Sequence, residues 1–174
     1  MIEIYDDFLD SEEFEFVRYN MLGNEFSWYL GEVLSEIQGS TYPCSCDPLH
    51  NAQMCHWFYK NYQPTGPEFS IVEPIISKLN ISSLVRIKAN MSLKTDTIIK
   101  HGFHRDDTGV FMVAIYYVNT NDGYTEFDDG TQVESIENRL VLFNSETLHT
   151  GTTCTNAKVR CVINFNYYPQ NYGA

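Results

Sequence analysis

Three residues in the second half of the chain have side chains suited to binding a metal ion. His104 and Asp106 are two residues apart, and residues at that spacing in an extended strand point to the same face. A neutral imidazole and a carboxylate on one face can hold one metal ion together. His149 follows later, in a Leu-His-Thr-Gly segment. Two histidines and one carboxylate make the facial triad that suits non-haem Fe(II) and leaves coordination positions open.

A fourth residue, Arg160, has a side chain suited to binding an anion. It lies eleven residues after His149, inside an apolar run at 159–165 that is typical of a strand. Its guanidinium is always charged, and its planar fork can clamp a carboxylate with two parallel hydrogen bonds. Burying an unpaired guanidinium is costly, and this run contains no acid. We therefore expect an anionic ligand to pair with Arg160.

His101 and Asp107 compete for the first two ligand positions. His101 is followed two residues later by Phe103 rather than by an acid, so we expect it at the surface or at the rim of a pocket. Asp107 would point away from the face of His104 in a strand, so we favour Asp106.

The order of these residues resembles that of the Fe(II)/2-oxoglutarate-dependent dioxygenases, specifically their prolyl-4-hydroxylase-like branch. The flanking runs strengthen the resemblance. Ala-Ile-Tyr-Tyr-Val-Asn at 114–119 looks like the strand after the first two ligands, and Asn-Arg-Leu-Val-Leu-Phe at 138–143 looks like the strand that leads to the distal histidine. His149 could be an ordinary capped or buried histidine, but its place ahead of an arginine within a strand favours ligation. The resemblance covers roughly residues 84–168.

The resemblance implies that His104, Asp106 and His149 bind Fe(II), which takes 2-oxoglutarate as co-substrate together with O2. Arg160 would hold the far carboxylate of 2-oxoglutarate. Tyr117 matches by register a tyrosine whose hydroxyl assists that carboxylate in relatives, although a core aromatic is an equal alternative. The expected activity is hydroxylation of a peptidyl or free amino-acid side chain. An acid at position 106 favours hydroxylation over halogenation, because a halogenase needs that position vacant for halide.

The run at residues 84–93 alternates between apolar and polar side chains, as a strand with two different faces does. The polar positions are Arg86, Lys88, Asn90 and Ser92. This polar face could meet solvent, or it could form a pocket wall, since relatives use polar residues on this strand near the co-substrate. Asn90 is therefore a candidate co-substrate contact.

The expected fold class is mainly β with flanking helices, a double-stranded β-helix or jelly roll. Strand patterns follow one another with turn signals between them, and helix patterns are confined to the first half. Capping-box patterns predict helices at 10–22 and 70–80, and residues 38–67 read as irregular. We expect one domain over residues 1–174, with support helices and a loop at 1–83 and the catalytic β core at 84–168.

The composition argues against nucleic acid as the main partner. The net charge is −12, and the chain has only eleven lysines and arginines, which are scattered. Because phosphate contacts carry much of the affinity for nucleic acid, this charge also disfavours a nucleic-acid demethylase of the same superfamily. No apolar run is long enough to span a bilayer and the N-terminus lacks a signal-peptide pattern, so we expect no membrane partner and a cytoplasmic protein.

The segment at 38–67 is rich in cysteine and histidine, which raises the possibility of a structural zinc site. It contains Cys44, Cys46, His50, Cys55 and His56. The spacings do not fit a paired Cys-x2-Cys design. An odd total of five cysteines fits reduced thiols better than a disulfide framework. We therefore predict free thiols, with zinc as the alternative.

The substrate is expected to be a peptide or a small molecule. The segment between Asp106 and the next strand, residues 107–109, is short, which favours a smaller substrate or a grip built from residues 38–67. The alternative function is a non-catalytic jelly-roll domain for binding or structure, in which the histidines and the aspartate are incidental.

Overall fold

The computed structural model describes residues 1–33, 51–106, 109 and 111–170. Strands dominate this part of the chain, and helices are confined to its first half. The elements in chain order are β1 (Glu3–Tyr5), α1 (Ser11–Leu22), β2 (Tyr29–Glu32), β3 (Ala52–Lys60), β4 (Gln63–Pro64), a 3-10 helix (Pro67–Val72), α2 (Glu73–Lys78), β5 (Ile81–Leu93), β6 (Met112–Tyr117), β7 (Tyr124–Phe127), β8 (Gln132–Glu134), β9 (Arg139–Asn144), β10 (His149–Gly151) and β11 (Val159–Pro169). None of these helices has the length and apolar character needed to cross a bilayer.

The strands form two antiparallel sheets. The larger has eight strands in the order β1-β9-β6-β11-β5-β3-β2, with β4 paired to β3, and the smaller has the order β10-β7-β8. Neighbours in these sheets are often far apart in sequence, as in a jelly roll. The prediction of a mainly β jelly roll with flanking helices is confirmed.

Strand β6 is buried on both faces and separates two apolar cores. Val113, Ile115 and Tyr117 pack into the core between the two sheets, together with side chains from β7, β8 and β9. Ala114 and Tyr116 point the other way, into the core that the larger sheet shares with the helices. This arrangement explains why the sequence of β6 is apolar throughout instead of alternating.

Helix α1 begins and ends as its sequence predicts. The side chain of Asp10 accepts a hydrogen bond from the backbone N–H of Glu13 at 2.9 Å, which satisfies a donor that the first turn leaves free. The helix ends at Gly23, where a Cβ atom would lie 2.7 Å from the carbonyl oxygen of Tyr19. Its buried residues are Phe14, Val17 and Met21.

The predicted start of the second helix is wrong. Ser70 does not cap an α-helix, because it lies inside the 3-10 helix and donates its hydroxyl to the carbonyl of Pro67 at 3.0 Å. Helix α2 begins only at Glu73 and ends at Lys78. The predicted apolar face is nevertheless buried, at Ile71, Ile75 and Leu79.

The described part of the segment predicted to be irregular, residues 51–67, contains β3 and β4. Strand β3 pairs with β5 on one side and with β2 on the other. Its buried residues include Cys55, His56 and Phe58. These partners lie far away in sequence, so local turn residues gave a misleading signal here.

Candidate active site

The structure brings His104, Asp106 and His149 together. Their potential ligand atoms all lie within 4.8 Å of one another. Asp106 Oδ1 is 3.8 Å from Nε2 of each histidine. The two histidines form an isolated antiparallel bridge, in which each backbone N–H donates to the carbonyl of the other at 3.0 Å. This bridge sets the two imidazoles side by side, with ring centres 4.7 Å apart.

The local structure of the first two predicted ligands differs from the expectation of a strand. His104 forms only the single bridge to β10, and Asp106 lies in a bend. Strand alternation therefore does not explain why Asp106 faces the histidines. Its side chain is oriented by residues of other strands.

Three side chains from β5 and β11 hold the Asp106 carboxylate. Asn164 and Asn166 donate their amide N–H groups to Oδ2 at 2.9 and 3.1 Å. Arg86 Nη2 lies 2.9 Å from Oδ1, and Arg86 Nε donates to Asn166 Oδ1 at 2.6 Å. The carboxylate is almost completely buried, and these contacts fix Oδ1 on the side of the two histidines.

The protonation states of the cluster favour metal binding. Burial alone would raise the pKa of Asp106, but Arg86, the two histidines and the Asn164 amide together hold it below its usual range. Asp106 is therefore an anion at neutral pH. Burial, reinforced by repulsion from His149, lowers the pKa of His104 to about 4, so this imidazole is neutral and keeps a lone pair for a metal.

Backbone carbonyls select which nitrogen of each imidazole is free. His104 Nδ1 lies 3.3 Å from the carbonyl of Gly102, and His149 Nδ1 lies 3.1 Å from the carbonyl of Thr147. A carbonyl can only accept, so we assign the N–H to Nδ1, which leaves the Nε2 lone pairs facing Asp106. Two imidazole nitrogens and one carboxylate oxygen, each held by outer partners, fit Fe(II).

Arg160 lines the same pocket as the triad. Its side chain is buried, and it donates from Nε to Ser135 Oγ at 2.8 Å and from Nη2 to Thr125 Oγ1 at 3.0 Å. Both partners are neutral hydroxyls. None of the ion pairs within residues 1–33, 51–106, 109 and 111–170 includes Arg160. The arrangement orients the guanidinium without neutralising it, which agrees with the expected anionic ligand.

Gly123 gives the Arg160 side chain its space. A Cβ atom at Gly123 would lie 2.6 Å from Arg160 Cδ and 2.6 Å from the carbonyl of Thr153. At Gly151, by contrast, a Cβ atom would lie 3.4 Å from Arg160 Nη1, which is an ordinary contact. Any larger residue at position 123 would therefore displace the Arg160 side chain, the backbone at Thr153, or both.

Tyr117 lies next to Arg160 but, in the described part of the chain, is not one of the residues lining the pocket. Its hydroxyl donates to Thr125 Oγ1 at 2.8 Å, and its ring centre is 5.7 Å from Arg160 Cζ. Burial raises the pKa of Tyr117, so the phenol stays protonated and remains a donor. A direct contact with a co-substrate stays a prediction, since the observed link runs through Thr125.

The polar face of β5 forms a wall of the pocket. Its four polar residues line the cavity that also contains the triad. They are Arg86, Lys88, Asn90 and Ser92. Asn90 Oδ1 is also 3.8 Å from the Cys55 thiol, which can donate to it weakly. Of the two alternatives for this face, the pocket wall is the one observed, and the proposed contact of Asn90 with a co-substrate stays a prediction.

His101, the competing ligand, is 6% exposed and lines the pocket, so of its two expected places, the surface and a pocket rim, the structure agrees with the pocket. It does not belong to the potential metal cluster found among the described residues. The other competitor, Asp107, lies outside the described residues, as do Thr108, Cys44, Cys46 and His50.

The residues that hold Asp106 and Arg160 were not predicted from the sequence. They are Arg86, Asn164, Asn166, Thr125 and Ser135. One signal was present: in β11, Arg160, Asn164 and Asn166 are polar residues at even-numbered positions of an otherwise apolar run. Because alternate residues of a strand share a face, these three could have been assigned to one side of the sheet.

We expect Asn164→Ala to weaken metal binding by about 10- to 100-fold, because it removes one of the two amides that orient Asp106. Titration of the purified variant with Fe(II) under argon measures this change. Asn119→Ala is a matched control. The side-chain amide of Asn119 makes two hydrogen bonds to the backbone of β11, at Val159 and Cys161, but none to the metal cluster. Equal metal affinity in both variants would contradict the orienting role of Asn164.

We expect the cysteines to be free thiols that carry no zinc. Cys55 is free and buried, as are Cys154 and Cys161. Titration of the unfolded protein with a thiol reagent should report every cysteine as reduced, and the metal content of the native protein should show no tightly bound zinc. Stoichiometric zinc that survives mild chelation and is lost on replacing Cys44 and Cys46 by serine would contradict this.

Comparison with known proteins finds similarity at the level of structure. No protein-family model matches the chain, and no curated protein matches its sequence. A Pseudomonas putida prolyl-4-hydroxylase matches over 97% of this chain and 92% of its own, with a TM-score of 0.56 and 12% identity. A Trichoplax adhaerens prolyl hydroxylase, solved with a peptide fragment of the hypoxia-inducible factor oxygen degradation domain, covers 97% of this chain and 83% of its own, with a TM-score of 0.59 and 17% identity.

A third solved structure with the same fold has a different activity. It is SnoN, a non-haem alpha-ketoglutarate-dependent epimerase from nogalamycin biosynthesis, which covers 99% of this chain and 82% of its own, with a TM-score of 0.61 and 11% identity. Identities this low establish a common fold and no more. The chain therefore has the double-stranded β-helix fold of the 2-oxoglutarate/Fe(II) oxygenases, prolyl-4-hydroxylases among them, and it carries a clustered His-Asp-His triad within that fold.

Proposed function

We propose that this protein is an Fe(II)- and 2-oxoglutarate-dependent oxygenase that hydroxylates a peptidyl or free amino-acid side chain. One observation carries the proposal: His104, Asp106 and His149 present metal-ligand atoms to one point of a pocket that also contains the buried cation of Arg160. The fold supports it, because solved oxygenases and prolyl hydroxylases share it.

The residues of the chain would have separate roles in this activity. Bound Fe(II) would supply the redox chemistry that couples oxidation of 2-oxoglutarate to that of the substrate. The triad would hold the metal from one side. Arg160, oriented by Ser135 and Thr125, would pair with the far carboxylate of 2-oxoglutarate and so fix its direction in the pocket.

The protein would also control the charge and the position of the groups that bind the metal. Arg86 keeps Asp106 ionised and turned towards the histidines. Thr150 donates to the backbone carbonyl of His101 at 2.9 Å, which ties the segment before His104 to β10. Such a supporting shell keeps donor atoms in place before the co-substrate arrives, so little reorganisation is needed when it binds.

The experiment that tests the proposal is succinate formation. Purified protein is incubated in air with Fe(II), ascorbate and 2-oxoglutarate, with and without pools of amino acids and peptides. We expect succinate, and a product heavier than its substrate by one oxygen atom. If no pool gives succinate, and the protein loaded with Zn(II) does not bind 2-oxoglutarate, the alternative of a non-catalytic jelly-roll domain is favoured.

A further inference from the structure

The pocket is lined by three cations although the chain as a whole is acidic. Arg86, Lys88 and Arg160 all line it, whereas Asp106 is the single acidic residue among the lining residues that the structure describes. The net charge of the chain is −12, so the pocket is positively charged in a protein that is negatively charged as a whole. A cleft of one sign with low-dielectric walls attracts ligands of the opposite charge.

Two of these cations are accounted for by the proposed function. Arg86 is paired with Asp106 at 2.9 Å. Arg160 would pair with the far carboxylate of 2-oxoglutarate. The charge of Lys88 remains, because none of the ion pairs in the described ranges includes it.

Lys88 lines the pocket next to a residue that orients a triad member, and its ammonium group lies beside an aromatic ring. Lys88 is half-buried on β5. Its cross-strand neighbour on β11 is Asn164, one of the two residues that donate to Asp106, and its cross-strand neighbour on β3 is Trp57. Its ammonium group lies 5.4 Å from the centre of the Trp57 ring. An aromatic face stabilises a cation but does not neutralise it, so the charge stays available to a ligand in the pocket.

We propose that Lys88 binds a carboxylate of the substrate, with the Trp57 ring beside it, so that the substrate is an acid. This inference rests on the proposed function, because it takes the triad and Arg160 as occupied by metal and co-substrate. The carboxylate could belong to a free amino acid or to a peptide, since the chemistry recognised by Lys88 is the same. A charge-assisted hydrogen bond between Lys88 and a carboxylate would contribute about tenfold to affinity.

The test measures binding without turnover. Zn(II) replaces Fe(II), 2-oxoglutarate is saturating, and ligand-observed NMR reports binding of the common L-amino acids, of their C-terminal amides, and of short peptides with a free or amidated C-terminus. We expect some of the acids to bind, and each amide to bind at least about tenfold more weakly than its acid. The amino-acid and peptide arms show which source of the carboxylate fits.

Variants at two lysines separate a specific pair from a general effect of charge. Lys88→Met should lower the affinity for the bound acids by about tenfold, to the level of their amides, and Lys88→Arg should restore most of it. Lys60→Met is the matched control, because Lys60 lies 4.6 Å from the centre of the same Trp57 ring but is exposed and is not among the residues that line the pocket in the described part of the chain. It should leave the affinities unchanged.

The outcome distinguishes this inference from the proposed function. Three results would each overturn the role of Lys88. The Lys88→Met variant could bind acids as the parent does, the amides could bind as tightly as the acids, or the parent protein could bind no acid. None of these results would affect succinate formation or its dependence on the triad. Conversely, a protein that makes no succinate yet binds acids through Lys88 would retain the site and lose the oxygenase proposal.

Discussion

His104→Ala and Asp106→Ala should each abolish Fe(II)-dependent succinate formation. Each substitution removes one of three donor atoms that lie within 4.8 Å of one another, and two remaining ligands bind a divalent metal far more weakly. Loss of a single outer partner of a ligand already costs about 10- to 100-fold, so loss of a ligand should exceed that. Single-turnover assays with excess Fe(II), and titration of Fe(II) under argon, measure the two effects.

The fold should persist in these variants, because the two apolar cores are built without the triad. Far-UV circular dichroism and a cooperative thermal transition serve as the check. His101→Gln is the matched control: this histidine lines the same pocket but lies outside the potential metal cluster of the described residues, so the variant should keep its Fe(II) affinity. Undiminished succinate in both His104→Ala and Asp106→Ala would remove the assignment of the triad.

Arg160→Lys should raise the apparent KM for 2-oxoglutarate by about tenfold or more, or roughly 1.4 kcal/mol. A lysine keeps the positive charge but loses the planar fork that now donates to Ser135 and Thr125, and it cannot form a two-pronged pair with a carboxylate. Fe(II) affinity should hardly change, because the hydrogen bonds of Arg160 go to Ser135 and Thr125 and not to the triad. Initial rates at varied 2-oxoglutarate, with Fe(II) saturating, measure the effect.

Arg160→Ala should be worse than Arg160→Lys, because the far carboxylate of the co-substrate would be buried without a counter-charge. Arg139→Lys provides the control. Arg139 also makes a two-pronged pair, with Asp6, but it lies on β9 and does not line the pocket in the described part of the chain, so Arg139→Lys should leave the KM unaffected. If both Arg160 variants bound 2-oxoglutarate as the parent does, Arg160 would be a structural residue and the co-substrate assignment would be withdrawn.

The sequence by itself determined the features that depend on residues close together in the chain. The Asp10 cap of α1 spans three residues, and the hairpin of β7 and β8 turns at Gly130, whose φ of +86° favours glycine. The alternation of β5 and the apolar run of β6 reflect the two faces of a strand. The triad and Arg160 were chosen by type and order, which is possible because few side chains can bind a metal or a carboxylate, whereas Tyr117 and Asn90 followed from the family resemblance.

Tertiary structure alone decided how those residues are oriented and which neighbours support them. Asp106 is held by Asn164 and Asn166, 58 and 60 residues away, and Arg86 reaches Asn166 across 80 residues. Local pattern gave no information on these pairs, because strand order in a jelly roll does not follow chain order. For the same reason, only the folded sheet shows that the polar face of β5 lines the pocket, since either solvent or a cavity satisfies polar side chains and the choice depends on which strands pack opposite them.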